Sequence, residues 1–186
     1  MAAPSGGPWG GTSVDRNFYE FLLEMFGKEV VSAFSKDCKS EELDMHRMFE
    51  CKKRSVRTNC ETINMVLSND LYDIFEKTHN QKFDDYLSRS SLAKTVKKRK
   101  TRLHIDGSVF HKMFAEAKEN VLVHMEKELS SPKLEGVKNI IMVGGFSEAD
   151  IMKKAVRDKF CPYGYEVIVP EDAGLAVVKG CVLFLY

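Results

Sequence analysis

The chain has 186 residues, 44% of them apolar and 30% charged, with a net charge of +1. That is enough length and apolar material for one globular domain, or one domain with a smaller subdomain. A balance this even gives no overall field to draw the chain to nucleic acid or an anionic membrane, so partners must be sought locally.

In chain order, Gly6, Gly7, Pro8, Gly10 and Gly11 surround the only tryptophan, Trp9, which predicts a loop that something must dock on to hold. From Ser13 onward, Phe18, Phe21, Leu22, Met25, Phe26 and Val30 recur at helical spacing and predict one helix with a buried face. A polar break at Ser35–Ser40 precedes a second helix from Glu41 to about Arg57, with Ser40 as its expected N-cap. Ile63, Met65 and Leu67 alternate as in a half-buried strand. Residues 71–92 read as a helical surface excursion, and Leu103 and Ile105 mark another strand.

Phe110, Phe114, Ala117, Val121, Met125 and Leu129 then predict a long amphipathic helix ending before Pro132. Asn139-Ile-Ile-Met-Val143 is a continuous apolar run, the pattern of a strand buried on both faces of a parallel sheet. Gly144-Gly145 and a short helix follow, with Ser147 as its expected cap. Glu166-Val-Ile-Val169 is a last strand, and Pro170 leads into a closing helix. Alternating helices and strands in the last 80 or so residues indicate an α/β unit, with a more polar inserted segment at about 35–107.

Five cysteines, at 38, 51, 60, 161 and 181, form no C-x-x-C pair; reduced thiols in a cytoplasmic protein fit them better than zinc or disulfides. No secretion signal opens the chain, and no stretch approaches the ~20 apolar residues of a membrane span. The five histidines are scattered without ligand spacing, so no metal site is assigned. Lys97-Lys98-Arg99-Lys100 is the densest basic run; lacking accompanying aromatic residues, it reads as an edge made soluble by lysines and not as a nucleic-acid patch.

Three features carry chemistry. Ile140-Ile-Met-Val-Gly-Gly-Phe-Ser147 runs a strand into paired glycines, where a ligand can approach a backbone that has no Cβ in the way. A bare tight turn would use the same residues. Glu148 and Asp150 sit where they would repel a phosphate from that helix end, which makes a neutral nucleoside the better guest there. Gly10 and Gly11 can offer amide groups to a phosphate. Glu50, Lys53 and Arg54, at i, i+3 and i+4, share one helix face, where a carboxylate could hold ribose hydroxyls and the cations a base or phosphate. Solvated surface charge explains that triplet equally well.

Taken together, Gly-Gly-Pro-Trp-Gly-Gly-Thr-Ser-Val-Asp15, Met-Val-Gly-Gly-Phe-Ser-Glu148 and Pro-Glu-Asp-Ala-Gly-Leu-Ala-Val-Val-Lys-Gly180 resemble the second lobe of the 70-kilodalton heat-shock chaperones, and within them the divergent heat shock 70 kDa protein 12 branch. The resemblance covers nearly the whole chain. It implies the second lobe of an actin-like (ribonuclease H-like) ATPase domain: a mixed sheet flanked by helices, formed by 1–34 and 108–186, with 35–107 as an inserted α+β subdomain. It also implies an adenine nucleotide, ATP or ADP, with Mg2+ only in a full-length parent. Gly10 and Gly11 match the glycines near the phosphates, and Glu50, Lys53 and Arg54 the helix that contacts ribose and adenine. Gly144 and Gly145 match the adenosine motif, with Phe146 and Ser147 in the same site, and Glu171 falls where the family has an acidic residue after proline.

Departures from the family are specific. Glu148 stands where the chaperones carry an arginine on adenine, and neither an Asp-x-Gly-x-Thr nor an Asp-Gly-Gly-Gly-Thr phosphate loop occurs in the sequence. Phosphoryl transfer depends on such loops and their metal, so the expectation is a fragment that retains part of a nucleotide site without independent ATPase activity. The alternative is a stand-alone module that binds a protein partner through an exposed lobe surface.

Overall fold

The computed structural model describes residues 3–184; Met1, Ala2, Leu185 and Tyr186, the outermost residues of the expected core segments, lie outside it. The order of elements is α1 (Gly11–Phe26), α2 (Lys28–Asp37), α3 (Lys39–Ser55), β1 (Thr62–Val66), α4 (Asn69–His79), α5 (Phe83–Arg89), β2 (Val96–Arg99), β3 (Arg102–Asp106), α6 (Gly107–Leu129), β4 (Asn139–Ile141), α7 (Asp150–Phe160), β5 (Glu166–Ile168) and α8 (Ala176–Phe184). Helices and strands are mixed, as an α/β chain requires. Contacts group into a terminal unit, the described parts of Met1–Val14, Arg54–Thr58 and Phe114–Tyr186, and a central unit, Asp15–Lys53 and Asn59–Met113.

In the central unit a three-stranded antiparallel sheet has the order β1-β3-β2, with Ile63 opposite Ile105 and Met65 opposite Leu103. Lys97, Lys98 and Arg99 therefore lie on an edge strand, as the lysine-rich run suggested. The helix expected to run from Ser13 past Val30 is two helices. Gly27, at φ 83, breaks it, because only glycine takes a left-handed backbone without steric cost. Ser40 lies inside α3, which starts one residue earlier, so it is not the cap it was expected to be.

The segment 71–92 is not a surface excursion. Leu71, Tyr72, Phe75, Phe83, Leu87 and Leu92 are all buried, and Phe26 stacks on Phe83 with ring centroids 4.7 Å apart. Around that stack, Phe75 meets Phe83 edge-on at 5.1 Å and Tyr72 meets it tilted at 5.1 Å. A second stack, Phe18 on Phe49 at 3.9 Å, joins the parts of α1 and α3 in this unit.

One polar atom is trapped in this core. The Tyr72 hydroxyl is buried with no hydrogen-bond partner among the described residues, and burial, then the neighbouring Asp84 charge, push its ionisation well above the ordinary phenol range. Its folded-state value lies above the unfolded one, so the contribution to stability is complete at neutral pH. It is lost as pH rises past the ordinary phenol value near ~10. Tyr72→Phe removes the orphaned hydroxyl and keeps the ring under Lys98 Nζ, 4.8 Å from its centroid. The expected result in urea unfolding is a gain of about 1 kcal/mol at neutral pH and a larger gain above pH ~10; a loss at both pH values would count against the packing described.

In the terminal unit β4 and β5 form a parallel pair with Ile140 opposite Val167. One face packs on α6 and α7 through Leu122, Val156, Phe160 and Val167, joined by Ile140 and Met142. The other face carries Ile141, 63% exposed, and Val143, 47% exposed. The expectation that this run is buried on both faces is corrected: among the described residues, the unit supplies a helical layer to one side only.

Candidate functional site

The loop before α1 is held, as expected, by something docked on it: Trp9 lies 5.3 Å from the His124 ring of α6, and Ser5 hydrogen-bonds His124 Nε2 at 3.0 Å. The Ser13 hydroxyl donates to the Pro8 carbonyl at 2.8 Å. Gly10 ends the loop and Gly11 opens α1, both within the terminal unit.

Strand β4 leads into the paired glycines. Gly144 has φ 90 and ψ 157, a conformation open essentially to glycine alone. Its N–H donates to the Ala173 carbonyl at 2.7 Å, fastening this turn to the loop after β5. A 3-10 turn, Gly145–Glu148, follows, and α7 starts only at Asp150, after Ala149. Ser147 does not cap that helix: its hydroxyl is turned back onto the Gly144 carbonyl at 2.6 Å. Phe146 stacks parallel to Phe114 at 6.1 Å. Both side chains thus shape the turn, while Gly145 stays exposed with open space where a Cβ would be.

Glu148 is the joint of the site. Its Oε1 accepts the Gly174 N–H at 2.9 Å, and its Oε2 lies 3.8 Å from the Arg54 guanidinium. Asp150 accepts the Thr58 N–H at 3.1 Å, which ties the segment 54–58 to the start of α7. The two carboxylates expected to repel phosphate are therefore already engaged.

These ties enclose an open cleft of about 500 Å³, within the usual range for small-molecule sites. Arg54, Ser55 and Glu148 line it, together with Lys153 and Arg157 of α7. Val169, Pro170 and Glu171 complete it. It lies past the carboxyl ends of both parallel strands, where α/β sheets place their ligands because the strand-to-helix loops converge there.

Of the residues singled out from the sequence, Arg54 and Glu171 line this cleft, and Gly144 to Ser147 shape the turn that precedes Glu148. Glu50 and Lys53 belong to the central unit. There Lys53, a buried cation, pairs with Asp15 at 2.6 Å and with Glu50, as a buried charge must. Lys153 and Arg157 were not foreseen, although their i, i+4 spacing was there to be read.

Cys38, Glu41 and Asp70 also converge, with one atom of each within 4.8 Å of the others, in the central unit. Burial, then the Asp70 and Glu41 charges, push the Cys38 thiol up and away from the thiolate that binds metal.

No helix among the described residues is long and apolar enough to cross a membrane. No protein-family model matches the chain, and no solved structure does. Curated relatives do. Human heat shock 70 kDa protein 12B is 29% identical over 181 residues, which is 97% of this chain and 26% of that protein. Human heat shock 70 kDa protein 12A is 27% identical over 183 residues, 97% of this chain and 27% of that protein, and the mouse 12A protein matches to the same degree. The chain thus spans about a quarter of the length of the relatives it matches. By sequence the chain is similar to one part of the longer heat shock 70 kDa protein 12A and 12B proteins.

Proposed function

We propose that the chain is a nucleotide-facing second lobe of an actin-like ATPase domain, with 35–107 as its smaller inserted subdomain. In this reading it binds the nucleoside part of ATP or ADP beside the Gly144-Gly145 turn and does not hydrolyse ATP by itself. The observation that carries it is the fastening of that turn, through Gly144 to Ala173 and Glu148 to Gly174, at the carboxyl ends of a parallel strand pair. Arg54 and Glu171 stand at the same cleft. Arg54 can pack its guanidinium on a base, Glu171 can accept from hydroxyls, and Gly145 leaves its backbone bare to the ligand. Gly10 and Gly11 are the phosphate donors of this reading, and Mg2+ belongs to a longer parent that carries the aspartate loops. The cytoplasm is its expected location.

Calorimetric titration with ADP and ATP tests the proposal. The expected result is saturable binding that weakens at least about tenfold, or ~1.4 kcal/mol, in Arg54→Ala, with no phosphate released above the uncatalysed rate. Absence of heat with both nucleotides at millimolar concentration would remove it. A second reading, a protein-interaction module, is favoured by the open apolar face of β4, where Ile141 and Val143 are exposed.

A further inference from the structure

Helix α7 carries four cations, and the structure treats them as two pairs. Lys154 is neutralised by Asp158 at 2.8 Å, and Lys159 by Glu126 at 2.7 Å. Lys153 and Arg157, the two that line the cleft, have no ion-pair partner among the described residues. Being four apart, they project from one helix face. The opposing carboxylates do not cancel them: Glu148 is committed to Gly174 and Arg54, which leaves Glu171 as the single carboxylate of the cleft wall without such a tie. Two uncompensated cations on a concave wall, one of them the half-buried Lys153, cost stability through mutual repulsion unless an anion joins them.

We propose that the α7 wall of this cleft is an anion subsite, in which Lys153 and Arg157 hold the phosphate of a small phosphate monoester while Glu171 accepts a hydroxyl of its carrier. The arginine offers a planar fork that matches two phosphate oxygens, and the lysine a mobile point charge. Glu171 in the same lining disfavours a ligand that is anionic throughout and favours one with hydroxyl donors beside its phosphate, such as a phosphorylated sugar or a nucleoside monophosphate. Val169 and Pro170, in the same lining, give the carrier an apolar surface to lie on. The nucleoside reading leaves Lys153 and Arg157 idle and shares only Glu171 with this subsite, so the two cations stand or fall separately from it.

Calorimetry on the full chain with ribose 5-phosphate, adenosine monophosphate and adenosine, at fixed salt, reads the two apart. Expected is saturable binding of at least one phosphate ester, weakened tenfold or more in Lys153→Glu/Arg157→Glu and less in Lys153→Gln/Arg157→Gln. Adenosine should be unaffected by either change, and Lys154→Glu, a cation already paired with Asp158, should stay within twofold for all three probes. Binding of both esters would show that the phosphorylated sugar suffices, whereas binding of the monophosphate alone would show that the base is needed too. Binding of ribose 5-phosphate with no binding of adenosine, ADP or ATP would retain the subsite and remove the nucleoside reading. The subsite is overturned if neither ester binds, or if the doubly glutamine-substituted chain, with unchanged circular dichroism, binds them as tightly as the unaltered one.

Discussion

Replacing Phe83 by alanine will lower the free energy of unfolding by about 3–5 kcal/mol, read as a shift in the urea midpoint at unchanged slope. Phe83 is fully buried at the first residue of α5, with Phe26 stacked on it, Phe75 on its edge, and Tyr72 and Tyr86 around it. Truncation removes the transfer free energy of the ring and leaves a hole that four other rings cannot collapse into without leaving their own contacts. Domains of this size are stable by only about 5–15 kcal/mol, so the loss is a large share of the whole. Phe83→Leu, which keeps most of the volume, should lose less than half as much. Phe184→Ala, at a side chain 95% exposed, should stay within about 0.5 kcal/mol. A loss below about 1 kcal/mol for Phe83→Ala would mean that this aromatic cluster is not packed as described.

That cluster also shows what local sequence can and cannot give. The helical spacing of Phe18 to Phe26 was readable because one unbroken period carries it. From Leu71 onward the period is interrupted at Asn80, a left-handed residue that ends α4, so Tyr72, Phe75 and Phe83 fall on two short helices. Their burial is decided by Phe26, which is far away in sequence. The alternating strands β1 and β3 were legible for the opposite reason: a half-buried antiparallel strand shows its buried face as alternation in its own residues.

At the site the same division holds. The strand, the glycine pair and the acidic residue after Pro170 were visible as motifs, and the resemblance to the heat shock 70 kDa protein 12 branch rested on them together with the glycine loop ending at Asp15. The roles of Phe146 and Ser147 were not visible, because a stacking ring and a hydroxyl folded onto the Gly144 carbonyl look the same in sequence as ligand contacts. Nor could sequence tell which lysines of α7 are neutralised, since Lys159 finds Glu126 on α6.

Strand β4 leads to the other large prediction. Its continuous apolar run is the composition of a strand covered on both faces, yet the described residues cover one. Ile140 and Met142 pack inward while Ile141 and Val143 face outward, with Ile168 of β5 also 38% exposed. On the same unit α8 exposes Val177, Val178, Val182, Leu183 and Phe184. Monomeric proteins rarely leave so much apolar surface uncovered, and a parallel strand edge beside it can pair with another chain. The chain is therefore expected to bind a hydrophobic dye and to self-associate, with a mass by analytical ultracentrifugation that rises with concentration. Ile141→Lys/Val143→Lys places charge on the open face without touching the packed one. It should weaken association at least about tenfold and leave thermal unfolding of the monomer within a few degrees, since both side chains already face solvent. A chain that stays monomeric at the highest concentrations reached, with no dye bound, would show that this face needs no cover. The apolar run in β4 would then lose its meaning as the imprint of a missing layer.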